Sequence, residues 1–283
     1  MGELYLVDSH VHFWDPMRLD YPWLAALPDL NRPFLQTDFA IASASTNVQK
    51  LIFVEGGCKS VQNLTEVDWV SSLASIEPRI KGIVAHASLE KGKGAHAELA
   101  TLASRPLVKG VRRSLQGEQD PDFCIQPEFV AGVKLLAEFC LTFDVCIRHD
   151  QLPGVAELAR RVPQVSFILD HLGKPDVRGR RTEPWAAELK ELAMLPNVVC
   201  KISGLTTEAD WHTWQPADLQ FYVEHALEVF GFDRVMFGSD WPVATLATNY
   251  LQWVEVVRKL IPSGDDPADV KLFQANAERI YRV

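Results

Sequence analysis

Several things are scarce in this chain, and each scarcity closes a class of function. Cysteine appears five times, as Cys58, Cys124, Cys140, Cys146 and Cys200, with no CxxC pair. An odd, scattered set is neither a secreted disulfide framework nor a thiolate zinc site. Cys146 and Cys200 fall inside apolar runs and read as buried small hydrophobes. Positive charge is also short: 28 Lys and Arg stand against 37 Asp and Glu, a formal charge of −9, with no long basic run. That argues against nucleic acid and anionic membranes as partners. No apolar stretch is long enough to span a bilayer. No basic segment followed by an apolar core opens the chain, and Leu6 stands where a myristoylation signal needs Ser or Thr. The expectation is a soluble, cytoplasmic protein acting on a small molecule, with its oligomeric state left open. Internal repeats and low-complexity tracts are missing too. Lys91–Gly94 has too few glycines, and no following Lys-Ser/Thr, to be a phosphate loop.

What is present is a repeating alternation. The 283 residues are 47% hydrophobic, enough for a large core. Eight β-rich runs recur, at 4–12, 50–55, 80–86, 108–113, 145–149, 165–171, 198–203 and 235–238. They are nearly continuous in apolar character, as strands buried on both faces are. Amphipathic stretches lie between them, at Glu128–Phe139, Leu152–Arg161, Trp185–Leu195, Pro216–Phe230 and Asn249–Leu260, and Gly231 sits where a helix cap is wanted. Eightfold alternation predicts a (β/α)₈ TIM barrel as one domain over 1–283, with an open doubly wound sheet as the rival. Two connections, 13–49 and 204–217, are too long for plain barrel turns and are rich in Trp. Loops of that length on the strand-end face form lids or substrate walls.

The first run ends in Asp8–Ser9–His10–Val11–His12. Strict alternation puts Asp8, His10 and His12 on one face. A barrel gathers its chemistry at the C-terminal ends of its strands. The polar residues there are His10, His12, Glu55, His86, Arg112, Arg113, His149, Asp170, His171, Lys201, Ser203 and Asp240. With strand eight beside strand one and strand five across the interior, His10, His12, His149 and Asp240 could surround one ion, a mixed N/O set suited to Zn²⁺ or Mn²⁺.

Five segments together carry a resemblance: Asp8-x-His10-x-His12-x-Trp14, His149, Leu169–Asp170–His171–Leu172–Gly173–Lys174–Pro175, Lys201–Ile202–Ser203–Gly204–Leu205 and Gly238–Ser239–Asp240–Trp241–Pro242. From residue 4 to about 282 the sequence resembles the amidohydrolase superfamily, and within it the "amidohydrolase 2" branch rich in sugar-lactone lactonases such as L-fuconolactonase and L-rhamnonolactonase. The resemblance implies a distorted (β/α)₈ barrel and hydrolysis at a strained carbonyl centre. It leaves metal dependence open, because some members of the branch work without a bound metal. The strand-four Lys or Glu that bridges two metals in binuclear relatives is missing, with Arg112 and Arg113 near its place, so one ion is expected rather than two.

The expected roles follow from this arrangement. Asp240 is the general base and acid as well as a metal ligand, and His171 holds the water or the oxyanion. Arg113 and Lys201 are the candidates for gripping substrate oxygens, and a salt bridge on the barrel rim suits Arg113 equally well. Trp14, Trp23 and Trp241 offer flat faces to a sugar ring. Glu55 and His86 are further candidates for the pocket wall. The expected reaction is opening of a sugar-acid lactone to its hydroxy acid. A non-oxidative decarboxylase of an aromatic acid on the same fold is the alternative, and a non-catalytic metabolite-binding barrel is a more distant one.

Overall fold

The computed structural model describes residues 5–261 and 266–283; Leu4, at the head of the first expected strand, lies outside them. Eight strands form one sheet: β1 Leu6–Val11, β2 Val48–Val54, β3 Ile80–His86, β4 Val108–Arg112, β5 Thr142–Val145, β6 Phe167–Leu169, β7 Val198–Ile202 and β8 Val235–Phe237. Neighbours in sequence are neighbours in the sheet, and the ladders are parallel. A doubly wound sheet would reverse its strand order part-way, so that rival is excluded. The barrel closes where the chain leaves β8. There Asp240 N–H donates to His10 O at 2.9 Å, His12 N–H donates to Trp241 O at 2.7 Å, and Val11 pairs in parallel with Trp241. This is a TIM barrel.

Two apolar layers hold it. Inside, Val7, Ile52, Val54, Val84, Ile168, Val199 and Met236 fill the barrel, and Ala277 and Tyr281 of the Asn276–Tyr281 helix plug its lower end. Outside, a larger cluster packs the strands against the surrounding helices. The Leu152–Arg161 and Pro216–Phe230 helices have the bounds their periodicity predicts. Gly231, at φ +65°, ends the second of these in a conformation that disfavours a side chain. Asn249 caps the helix Tyr250–Leu260, its side chain accepting from Gln252 N–H at 2.9 Å.

The alternation expected along β1 fails, and the reason is a bulge. Between Asp8 and Val11 the strand spends three steps where β2 spends two, pairing Asp8 with Leu51 and Val11 with Phe53. One extra residue flips the parity of all that follows. Before the bulge Val7 faces the interior and Asp8 turns outward to Tyr250 on a surrounding helix; after it His10 faces inward to Lys201. Asp8 is thus no neighbour of the two histidine rings; its carboxylate instead fastens the closure. It accepts Ser239 N–H at 2.9 Å, His10 N–H at 3.1 Å and the Tyr250 hydroxyl at 2.8 Å.

Strand five is also displaced from its expected place. β5 runs over Thr142–Val145, not 145–149, so His149 lies beyond its end, in a 3-10 turn His149–Gln151.

The Asp8 latch yields a stability prediction. Each buried donor left without a partner costs about 1–3 kcal/mol. Asp8→Ala orphans three, while relieving one buried carboxyl that desolvation pushes up to about 6. Urea denaturation should show a net loss of about 3 kcal/mol.

Candidate active site and metal centre

A cavity of about 460 Å³ opens at the C-terminal ends of the strands. His12, Glu55, Arg112, His171 and Asp240 supply its polar surface. Trp14, Trp23, Leu27, Val243 and Leu246 supply an apolar wall, and Lys174, Glu208 and Trp211 also face in. The 13–49 connection contributes Trp14, Trp23 and Leu27, and the 204–217 connection contributes Thr207, Glu208 and Trp211. Both long loops are walls of the site. Trp14 and Trp23 meet edge to face, with centroids 5.2 Å apart. Their indole N–H groups are bonded away from the cavity, Trp14 to Arg32 O at 2.9 Å and Trp23 to Gly56 O at 2.8 Å.

The barrel closure sets three donor atoms in a triangle. His10 Nε2 and His12 Nε2 are 3.2 Å apart, and Asp240 Oδ1 lies 3.4 Å from His12 Nε2 and 3.7 Å from His10 Nε2. Tetrahedral zinc with ligands at about 2.0–2.1 Å separates adjacent ligand atoms by about 3.4 Å. The triangle fits such an ion. The ring orientations fit as well. His12 Nδ1–H donates to Val54 O at 2.8 Å, which leaves Nε2 as a lone pair. His10 Nδ1 lies 3.3 Å from Asp170 Oδ1, the carboxylate-behind-histidine arrangement found at metal centres. With the His12 Nε2 lone pair turned toward His10 Nε2 at 3.2 Å, a cation or a proton belongs between the two rings. His10, His12 and Asp240 can therefore hold a divalent metal.

The charge states suit that role, since metal ligands must be deprotonated. Burial pushes Asp240 up, but His171, His12 and His10 outweigh it and hold the carboxyl well below its usual range. Burial drives His10 well down and His171 down to about 4, so both rings are neutral at neutral pH. His171 stands in a left-handed conformation, φ +54°, with Nδ1 2.9 Å from Ser203 Oγ and Nε2 3.9 Å from Asp240 Oδ1. Gly204 makes room for that ring: a Cβ there would lie 2.5 Å from His171 Nδ1.

Below the triangle lies a buried ionic layer. Lys201 Nζ sits 2.6 Å from Asp144 Oδ2, 3.0 Å from Asp170 Oδ1 and 3.2 Å from His10 Nδ1. Tyr281 closes the layer from beneath, its hydroxyl donating to Asp144 Oδ2 at 2.5 Å. Burial opposes the Lys201 charge, but the two carboxylates more than offset it and raise its pKa. Arg112 donates through Nε to Glu55 Oε1 and through Nη2 to Glu55 O, both at 2.7 Å, and its Nη1 reaches His10 Nε2 at 3.3 Å and Asp170 Oδ2 at 3.4 Å.

Several expected roles change as a result. Lys201 is fully buried beneath His10, with Nζ 3.2 Å from the ring's Nδ1, and does not line the cavity. Arg113 alternates out of the barrel into ion pairs with Glu90 at 3.1 Å and Glu118 at 2.7 Å, and Arg112 takes its place at the cavity. Trp241 packs among Phe13, Phe34 and Phe39 and does not line the cavity. His149 is not brought to the triangle. Because β5 ends at Val145, Cys146 faces the cavity and His149 lines a neighbouring groove with Arg148, Asp176 and Arg181. His86 lines neither, while Glu55 does line the cavity, as Arg112's partner. Asp144, Lys174 and Glu208 were not expected. The inward parity of β4 was the available signal for Arg112: a Cβ on Gly110 would strike Thr142 Oγ1 at 2.1 Å, so Gly110 and, two residues on, Arg112 face the interior.

A parallel barrel with His-x-His leaving its first strand and a carboxylate leaving its last defines a class of hydrolase-like metal-site barrels. The chain belongs to the amidohydrolase family, whose model matches residues 7–283. It is 33% identical to an L-fucono-1,5-lactonase of Burkholderia multivorans, covering 99% of this chain and 97% of that protein. It is 31% identical to the L-fucono-1,5-lactonase of Burkholderia ambifaria, covering 98% and 95%. A crystal structure of an amidohydrolase from Burkholderia multivorans with bound zinc superposes with a TM-score of 0.88 at 32% identity, over 99% of this chain and 100% of that one.

Behind Glu55 lies a second buried acid with a testable signature. Glu66 accepts Gly56 N–H at 3.2 Å and the Tyr21 hydroxyl at 3.2 Å, and burial, with Glu55 nearby, pushes it up to about 8. Unfolded, it ionises near its ordinary 4.5. Between those values the native state binds more protons than the unfolded chain, so this group's contribution to stability falls as pH rises. Glu66→Gln should match the parent near the acid end. It should then gain in melting temperature relative to the parent as scans run from about pH 5 to about pH 9.

Proposed function

We propose that the protein is a lactonase that opens a sugar-acid lactone to its hydroxy acid with one divalent ion, Zn²⁺ or Mn²⁺, held by His10, His12 and Asp240. The observation that carries this reading is the donor triangle at the floor of a cavity with an aromatic wall. The names of the two Burkholderia relatives support the substrate class. A divalent ion there would polarise the ring carbonyl and make a water acidic enough to lose its proton near neutral pH.

The chain's own groups supply the rest. Asp240, ionised and at the cavity floor, accepts the proton of the attacking water and returns it to the ring oxygen as the C–O bond breaks. Arg112, anchored twice on Glu55, and His171 present N–H groups to the oxygen on which negative charge develops. For His171 this requires the Ser203 hydroxyl to donate to Nδ1, which puts the ring proton on Nε2. The Trp14–Trp23 wall covers the C–H face of the ring and excludes water from it.

Asp240→Asn separates this reading from the others. The amide is isosteric but cannot take the proton, so kcat should fall at least about a hundredfold while the melting temperature is kept. A folded variant with near-normal turnover of fucono-, rhamnono-, galactono- and xylono-lactones, read by proton release, would remove Asp240 from the reaction.

Metal content tests the ligand set. Elemental analysis should find about one divalent ion per chain, lost in His12→Asn and kept in His149→Asn. Loss on substituting His149 would restore that residue to the site.

A further inference from the structure

Strand β6 runs into a left-handed turn in which His171, Leu172, Gly173 and Lys174 all have positive φ, and Lys174 N–H donates to His171 O at 2.8 Å. The turn that presents His171 therefore also sets Lys174 in the cavity wall. Opposite, Gly204, whose missing side chain accommodates His171, begins the short helix Leu205–Glu208 that ends in Glu208. Lys174 Nζ and Glu208 Oε1 stand 3.6 Å apart, both partly exposed to the cavity.

We propose that the Lys174–Glu208 pair makes this cavity selective for uncharged, polyhydroxylated lactones and against lactones that carry an additional ionised carboxylate. The inference deepens the lactonase reading and rests on it for the identity of the reacting ring. Three observations bear it. First, at 3.6 Å the pair is looser than a hydrogen bond, and among the described residues neither side chain makes a hydrogen bond or another ion pair. Glu208 keeps lone pairs for hydroxyl donors and Lys174 keeps N–H groups for hydroxyl oxygens, the complement of a vicinal diol. Second, the two cationic side chains that line the cavity each have a carboxylate partner, Arg112 in Glu55 at 2.7 Å and Lys174 in Glu208. A substrate carboxylate at the Lys174 wall, away from the donor triangle, would have to compete with the Glu208 charge for Lys174, which a neutral hydroxyl does not. Third, burial pushes the Glu208 carboxyl up, with Lys174 opposing this and Asp240 adding to it, so the two acids already sense each other across the site.

The competing reading places an anionic tail in the neighbouring groove, which shares Lys174 and Glu208 and also holds Arg148. Turnover and binding separate the two. The probes are galactono-lactone, the galactaro-lactone that carries a carboxylate on the same skeleton, and 1,5-anhydrogalactitol, a ring with no carbonyl to open. The parent should favour galactono- over galactaro-lactone in kcat/KM by at least about tenfold. Glu208→Gln frees the Lys174 charge and should cut that ratio at least about tenfold, mainly through KM. Lys174→Met should weaken the neutral lactone without any gain for the acidic one. A parent that prefers galactaro-lactone, or a ratio unchanged in Glu208→Gln, overturns the proposal. If neither lactone is opened, the lactonase reading falls by itself. Binding of 1,5-anhydrogalactitol against that of the unopened galactaro-lactone then decides this one: a preference for the neutral ring that shrinks in Glu208→Gln upholds it, and no preference, or one unchanged in Glu208→Gln, sinks it.

Discussion

The contact on which the site depends is the closure of the barrel between the end of β8 and β1. Two backbone hydrogen bonds, Asp240 N–H to His10 O and His12 N–H to Trp241 O, tie residues more than two hundred positions apart. Because the bonds involve His10, His12 and Asp240 themselves, closing the barrel and assembling the triangle are one event. The Asp8 latch braces that seam from outside, holding Ser239 N–H and Tyr250 at once. Gly238 permits it from inside, since a Cβ there would lie 2.8 Å from His10 Cβ. The seam is thus specified at several residues on both strands.

Beneath the seam, Lys201 and Arg112 supply the positive charge against which Asp144, Asp170 and Glu55 are buried. His10, Asp170 and His171 form another group able to offer three donor atoms to a metal. Asp170 is already committed, with Oδ1 3.0 Å from Lys201 Nζ and Oδ2 3.4 Å from Arg112 Nη1. Two fixed cations beside that carboxylate repel an incoming one, and the group shares His10 with the first triangle. Breaking a buried pair of this kind leaves an uncompensated charge, at a cost of about 3–5 kcal/mol. The layer therefore resists rearrangement and holds the His10 ring still.

Much of this was legible in the sequence, and the failures share one cause. The strand count, the barrel and the His10–His12–Asp240 grouping follow from apolar runs that end in polar residues. The errors concern parity and phase. A bulge in β1 leaves no mark on the sequence, so strict alternation places Asp8 on the wrong side. Asp144 interrupts the apolar run Leu141–Ile147 and reads as a strand boundary, although it is buried mid-strand against Lys201. Shifting that strand by three residues brought His149 to the barrel mouth in place of Cys146. Arg112 and Arg113 differ by one step of a period-two pattern, and the neighbouring Gly110 is what distinguishes them.

Buried charge thus misleads sequence reading in a particular way. Asp144, Asp170 and Lys201 are fully buried, yet their polarity suggests strand ends and substrate contacts. Each is tolerable inside only because the others are there: Lys201 lies between two carboxylates, and Tyr281, near the far end of the chain, donates to one of them. No single strand carries the information that its charge will be paired, because the partners come from β5, β7, the turn after β6 and the last helix. The same holds at the cavity wall. Lys174 and Glu208 sit in separate turns, unremarkable alone, and they acquire a role only when the His171 turn and the Gly204 turn pack together. What the sequence conceals here is the pairing, and it is the pairing that sets the charge a substrate meets.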